Sequence, residues 1–149
     1  MAPGVRKRGA DHHAAALMTT LANGELVLIV EDNEKNLKLA RDLLRYHGFR
    51  TIEAADADTG VRMASDLAPD LILMDIELPG MDGVTALEQL RADPATAGII
   101  VVALTASVMP VDQERFARAG FAGIIVKPID VRAFPNQVLS YCSHLVEGA

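Results

Sequence analysis

The chain has no tryptophan, a single cysteine and only 4% aromatic residues. One cysteine, Cys142, cannot form an intramolecular disulfide, and that usage suits a reducing compartment. Basic residues are also few: 14 Lys and Arg against 20 Asp and Glu leave a net charge of −6, the wrong sign for gripping a phosphate backbone. Direct nucleic-acid binding is therefore not expected. No apolar run approaches the ~18 residues that span a bilayer, and residues 1–25 lack the continuous apolar stretch of a secretory signal. The expectation is a cytoplasmic protein that neither crosses nor binds a membrane.

What the chain does have is 149 residues, 50% of them apolar, enough for one globular domain with a sizeable core. The opening MAPGVRKRGADHHAAALMTTLANGE shows no sustained helical or strand period, so residues 1–25 are expected to form a mostly disordered arm with a short helical turn around 14–21. The adjacent His12 and His13 lack helical ligand spacing, which argues against a metal site there.

From Leu26 onward, short apolar runs alternate with longer amphipathic stretches, the pattern of a parallel sheet covered on both faces. The runs LVLIV (26–30), FRTIEAA (49–55, the weakest), LILM (71–74), IIVVAL (99–104) and GIIV (123–126) read as five strands. Between and after them lie five helical stretches, the first with Leu37, Ala40, Leu43 and Leu44 on one face. The last, VRAFPNQVLSYCSHL, contains Pro135, which lacks an N–H and must sit in the first turn or kink the helix. Nothing remains between 26 and 145 for a second domain.

In sheets of this class, ligands sit beyond the carboxyl ends of the strands. There the strong strands end on Glu31 and Asp32, on Asp75, on Thr105, and on Lys127-Pro128. Two carboxylates ~5 Å apart repel by roughly 3 kcal/mol at an effective dielectric of 20, so three acids need a cation among them. Oxygen donors without His or Cys select a hard ion, and Mg²⁺ is the natural candidate. A divalent ion, a lysine and a hydroxyl are together suited to holding a phosphoryl group, with Asp75 as its nucleophilic acceptor. The LPGMDG behind Asp75 supplies turn residues, leaving the main-chain carbonyl of Glu77 free to face the metal.

In the segments LIVEDNEKN, LILMDIELPGMDG, ALTAS and IIVKPI the sequence resembles the receiver domain of two-component response regulators, across about residues 26–145. The resemblance implies a CheY-like, doubly wound (βα)₅ α/β fold with strand order 2-1-3-4-5. It implies Asp75 as phosphoacceptor, and Glu31, Asp32, Asp75 and the Glu77 main-chain carbonyl around Mg²⁺. Thr105 and Lys127 would contact the phosphoryl oxygens, and Lys127-Pro128 would be a cis peptide. The first helix beginning NEKN and the DIELPG turn look most like stand-alone receivers of the DivK type. The partners implied are a sensor histidine kinase or a histidine phosphotransfer protein, with an unnamed protein target downstream and only self-directed phosphoryl chemistry.

The chain departs from the family pattern in places. Ile124 stands where many members carry Tyr or Phe, which implies output by loop and helix displacement without an aromatic rotor. Glu77 and Ser107 occupy positions that in the family influence hydrolytic water. On the first helix, Leu39 lies off the main apolar face and is a candidate contact for the phosphoryl donor. The rival reading is a small phosphatase or phosphotransferase with an Asp nucleophile, but such enzymes favour a second Asp where this chain has Glu77. A flavodoxin-like carrier is disfavoured by the few aromatics and by the absence of a Gly/Ser/Thr-rich loop after the first strand. A pseudo-receiver is disfavoured because the whole polar set is present.

Overall fold

A computed structural model describes residues 21–147. Five strands, β1 (Leu26–Val30), β2 (Arg50–Ala54), β3 (Leu71–Asp75), β4 (Ile100–Thr105) and β5 (Gly123–Val126), form one parallel sheet in the order β2-β1-β3-β4-β5. Five helices connect and follow them: α1 (Glu34–Tyr46), α2 (Ala57–Leu67), α3 (Gly83–Ala92), α4 (Pro110–Ala119) and α5 (Phe134–Glu147). Architecture and strand order are those expected from the sequence. Residues 1–20 of the expected N-terminal arm lie outside the described residues. The stretch before β1 is tied to the turn after α1, where the Ala22 N–H donates to His47 O and the Gly24 N–H to Gly48 O.

Strand residues alternate between two cores because successive side chains leave opposite faces of a sheet. Val27 and Ile29, Leu71 and Leu73, and Val102 and Leu104 pack with α1 and α5. Leu28 and Val30, Ile72 and Met74, and Val101 and Ala103 pack with α2, α3 and α4. Every residue of β3 is buried, which is why its sequence reads as an unbroken apolar run up to the acid.

Local signals set the helix ends. Asn33, Asp56 and Asp82 cap α1, α2 and α3, each side chain accepting the backbone N–H three residues on. Pro110 occupies the first turn of α4, where its missing N–H costs nothing, and Gly120 closes that helix at φ 111°. Pro135 is the second residue of α5, so it starts that helix without kinking it.

One internal glycine sets the spacing between a helix and the sheet. Gly60 faces Val30 from within α2, and a Cβ there would come within 2.8 Å of Val30 Cγ2. Val30 is fully buried and β-branched, so its methyl has nowhere to turn. Alanine is the better helix former, by about 1 kcal/mol, but overpacking a core typically costs about 1–3 kcal/mol. Gly60→Ala is therefore expected to destabilise the protein by about 1 kcal/mol, read as a lower urea midpoint; an unchanged or higher midpoint would show that α2 can step away from the sheet.

Candidate functional site

The register of the sheet places the polar residues side by side. Val30 pairs with Met74, Asp75 with Leu104 and Thr105 with Val126, so the next residues along, Glu31, Asp75, Thr105 and Lys127, share one edge. The ladder continues into this edge: Glu31 N–H donates to Ala54 O at 3.0 Å, Ile76 N–H to Leu104 O at 2.9 Å and Lys127 N–H to Thr105 O at 2.8 Å. Parallel strands lie about 4.8 Å apart, so neighbours in this row must interact. The Lys127-Pro128 peptide is cis, as expected.

Three acids converge at one end of the row. Glu31, Asp32 and Asp75 each offer a carboxylate oxygen within 4.8 Å of the others; Glu31 and Asp75 are buried and Asp32 is exposed. Lys127 faces them, its Nζ lying 3.0 Å from Asp75 Oδ2 and 3.6 Å from Glu31 Oε1. The opposite oxygen of Asp75, Oδ1, accepts the Glu77 N–H at 2.9 Å, and Glu31 Oε2 accepts the Asn33 N–H at 3.1 Å. Both backbone donors come from the turns that leave β1 and β3.

Among the described residues, Glu31 Oε1 is buried and has no hydrogen-bond partner. An orphaned carboxylate oxygen is costly, and here it belongs to a cluster of hard oxygen donors of the kind that Mg²⁺ takes. The residues present thus fit a divalent cation.

Thr105 is fully buried and, at the end of β4, stands between Asp75 and Lys127 in the row. Its hydroxyl donates to Glu77 Oε2 at 2.9 Å, the Ala106 N–H reaches Glu77 Oε1 at 3.4 Å, and Lys127 Nζ lies 3.9 Å from that same oxygen. Sequence reasoning singled out Glu77 for its main-chain carbonyl and its effect on water; the side-chain bridge to Thr105 was not anticipated. No signal could have revealed the Ala106 donor, since every residue but proline carries a backbone N–H. The Ser107 hydroxyl donates to Asp112 Oδ2 at 2.7 Å and accepts the Met109 N–H at 3.1 Å, while the Ser107 N–H reaches Thr105 Oγ1 at 3.1 Å. Ile124 is a half-buried strand residue packed on the α2, α3 and α4 side of the sheet.

The charges shift one another. Burial raises the pKa of Glu31 from 4.5 to about 7, assisted by its contact with the Asp75 carboxyl and opposed by the Asn33 N–H and the Lys127 charge. Burial alone would lower the pKa of Lys127, but hydrogen bonding to Asp75 and the charges of Asp75, Glu31 and Glu77 outweigh it and hold the ammonium above its ordinary value. Lys127 therefore stays cationic across the physiological range.

Away from this edge, Lys35, Lys38, Leu39, Asp42, Leu43 and Tyr46 line a shallow groove of about 480 Å³ on the outer side of α1. Leu39 is among them, as is Tyr46, which is 84% exposed and which no sequence pattern singles out.

The response regulator receiver domain model matches residues 27–139. The chain is 42% identical over 115 residues to the polar-differentiation response regulator DivK of Brucella anthropi, covering 77% of this chain and 94% of that one. Among solved structures it resembles the receiver domain of the Pseudomonas aeruginosa sensor histidine kinase PA1611, with a magnesium ion coordinated in its active-site cleft; the TM-score is 0.74 at 32% identity, over 80% of this chain and 98% of that one. It also resembles the receiver domain of Saccharomyces cerevisiae Ssk1, solved together with the histidine phosphotransfer protein Ypd1, with a TM-score of 0.73 at 27% identity over 81% and 90% of the chains.

The raised Glu31 pKa has a measurable consequence. Between about pH 4.5 and 7 the folded carboxyl keeps a proton that the unfolded one has lost, so the stability of the metal-free protein falls as pH rises through that window. Glu31→Gln keeps the shape and removes the ionisation. Urea denaturation in EDTA should show the variant near wild type at pH 5 and more stable at pH 8, by up to about 3 kcal/mol; equal stabilities at pH 8 would contradict the assignment of the shift to Glu31.

Proposed function

This chain belongs to the response regulator receiver domain family, and from that membership we propose that it accepts a phosphoryl group on Asp75 from a histidine kinase or a histidine phosphotransfer protein. The observation that carries the reading is the meeting of Asp75 with Glu31, Asp32 and Lys127 at one sheet edge, with Thr105 linked to them through Glu77. The functional unit is residues 26–145.

Asp75 is the nucleophile because it is an acid at the tip of a fully buried strand, fixed from both sides. The Glu77 N–H holds Oδ1 and Lys127 holds Oδ2, so the carboxylate is oriented before any donor arrives. One carboxylate oxygen attacks phosphorus, the bond from phosphorus to the donor imidazole nitrogen breaks, and that nitrogen keeps the electron pair. Lys127 and the Thr105 hydroxyl then hold the phosphoryl oxygens. Glu31, Asp32, Asp75 and the Glu77 main-chain carbonyl would hold a Mg²⁺ ion, which when bound screens the incoming negative charge from the carboxylates. The magnesium in the receiver of PA1611 supports this.

The donor docks against the outer side of α1, where Leu39 and Tyr46 offer apolar surface among charged neighbours. The complex of Ypd1 with the Ssk1 receiver supports a phosphotransfer protein as the partner. With Ile124 in place of an aromatic, the response passes through the loop after β4 and helix α4 to a protein target, or the phosphoryl group is relayed onward. Self-directed chemistry on Asp75 is the only reaction proposed, and the cytoplasm, where such donors act, is the proposed location.

Incubation with Mg²⁺ and acetyl phosphate, followed by intact-mass measurement, tests the reading. The wild-type chain should gain one phosphoryl group, and Asp75→Asn should gain none. A phosphoryl adduct that persists in Asp75→Asn would place the acceptor elsewhere.

A further inference from the structure

The three groups that face Thr105's side of Asp75 already hold an anion, and that anion is a side chain of the same chain. The carboxylate of Glu77 accepts hydrogen bonds from the Thr105 hydroxyl at 2.9 Å and the Ala106 N–H at 3.4 Å, and lies 3.9 Å from the Lys127 ammonium. Resting on the receiver reading, we propose that Glu77 is an internal stand-in for the phosphoryl group, a latch that occupies its cradle in the unmodified protein and must swing out for Asp75 to be phosphorylated.

Proton counting makes the two states exclusive. A threonine hydroxyl has one hydrogen to donate and a backbone amide has one. Neither can serve Glu77 and a phosphoryl oxygen at the same time. Lys127 has three hydrogens, but it is already shared among Asp75, Glu31 and Glu77. A phosphoryl group would also bring a further negative charge against a carboxylate in a site where one lysine already faces three acids.

The way out is open. Glu77 is exposed, with 47% of its side chain accessible, whereas Thr105 is fully buried. It follows Asp75 by two residues at the start of a turn that contains Pro79 and Gly80, the latter at φ 80° with no heavy atom within 4 Å of where its Cβ would be. The carboxylate can thus leave for solvent without moving β3. Thr105, by contrast, is already turned toward the cradle before modification. The event coupled to phosphorylation is then the release of Glu77 and not an inward rotation of the threonine.

The experiment measures binding of beryllium fluoride, a phosphoryl mimic, in Mg²⁺ to wild type, Glu77→Gln and Glu77→Ala, with the rate of mass gain from acetyl phosphate alongside. Removing the latch should tighten binding by about tenfold, the equivalent of one recovered hydrogen bond. Glu77→Gln, which keeps an acceptor for Thr105 but loses the charge, should fall between. The gain should survive high salt (about 0.5 M), because competition for a donor is not screened as a long-range field is. In the metal-free protein, the Ala106 amide and Thr105 methyl NMR signals should move in Glu77→Ala. Equal or weaker binding by Glu77→Ala, a gain abolished by salt, or unmoved Ala106 and Thr105 signals would each overturn the latch while leaving the receiver reading intact. Failure of every chain, wild type included, to bind beryllium fluoride or gain mass would overturn the receiver reading and the latch with it.

Discussion

A single ammonium group among carboxylates governs this molecule. Lys127 lies within 4 Å of Asp75, Glu31 and Glu77, and two of those three acids are buried. Without a countercharge, such a set would have to take up protons or spread apart, and either response would remove the property that makes an acid useful at the tip of a strand. The lysine satisfies the set only in part. Glu31 is left with an orphaned oxygen and a carboxyl pushed toward neutrality, so the protein alone leaves the edge short of positive charge.

The sheet bears that electrostatic cost. Its three central strands are packed on both faces by separate apolar cores, and the backbone ladder runs on past the strand ends to Glu31, Ile76 and Lys127. Spreading the charged row would mean breaking that ladder. The rigidity is inherited from residues with no polar atoms in their side chains, and it explains why the chemistry sits at the boundary between a dry interior and the turns that leave the strands.

Much of this was legible in the chain itself. LVLIV, LILM and IIVVAL could be assigned because residues buried on both faces read as apolar runs, and the polar residue after each run was visible by inspection. Even β2, the weakest run, formed where expected, with one exposed and two half-buried residues that account for its faint signal. Pro135 allowed two readings, and packing selected the one in which the helix begins later, at Phe134. What could not be read were contacts set by three-dimensional approach. The position of Gly60 against Val30 reads in the sequence only as a weak point in a helix. Glu77 reads as one more acid in a turn, because its direction depends on a hydroxyl 28 residues away.

The hydroxyl of Ser107 ties this chemistry to a helix. Among α1 to α4, only α4 lacks a side-chain cap on its first turn, and its anchorage comes instead from Ser107 bridging Met109 and Asp112. Ser107 is in turn joined through its own N–H to the Thr105 oxygen. The leading turn of helix α4 is thus tied to the reactive edge through Ser107, while Phe116 holds the body of the helix in the core; slack in that tie would be felt first at the leading turn, while α1, α2 and α3 stay fast on moorings of their own.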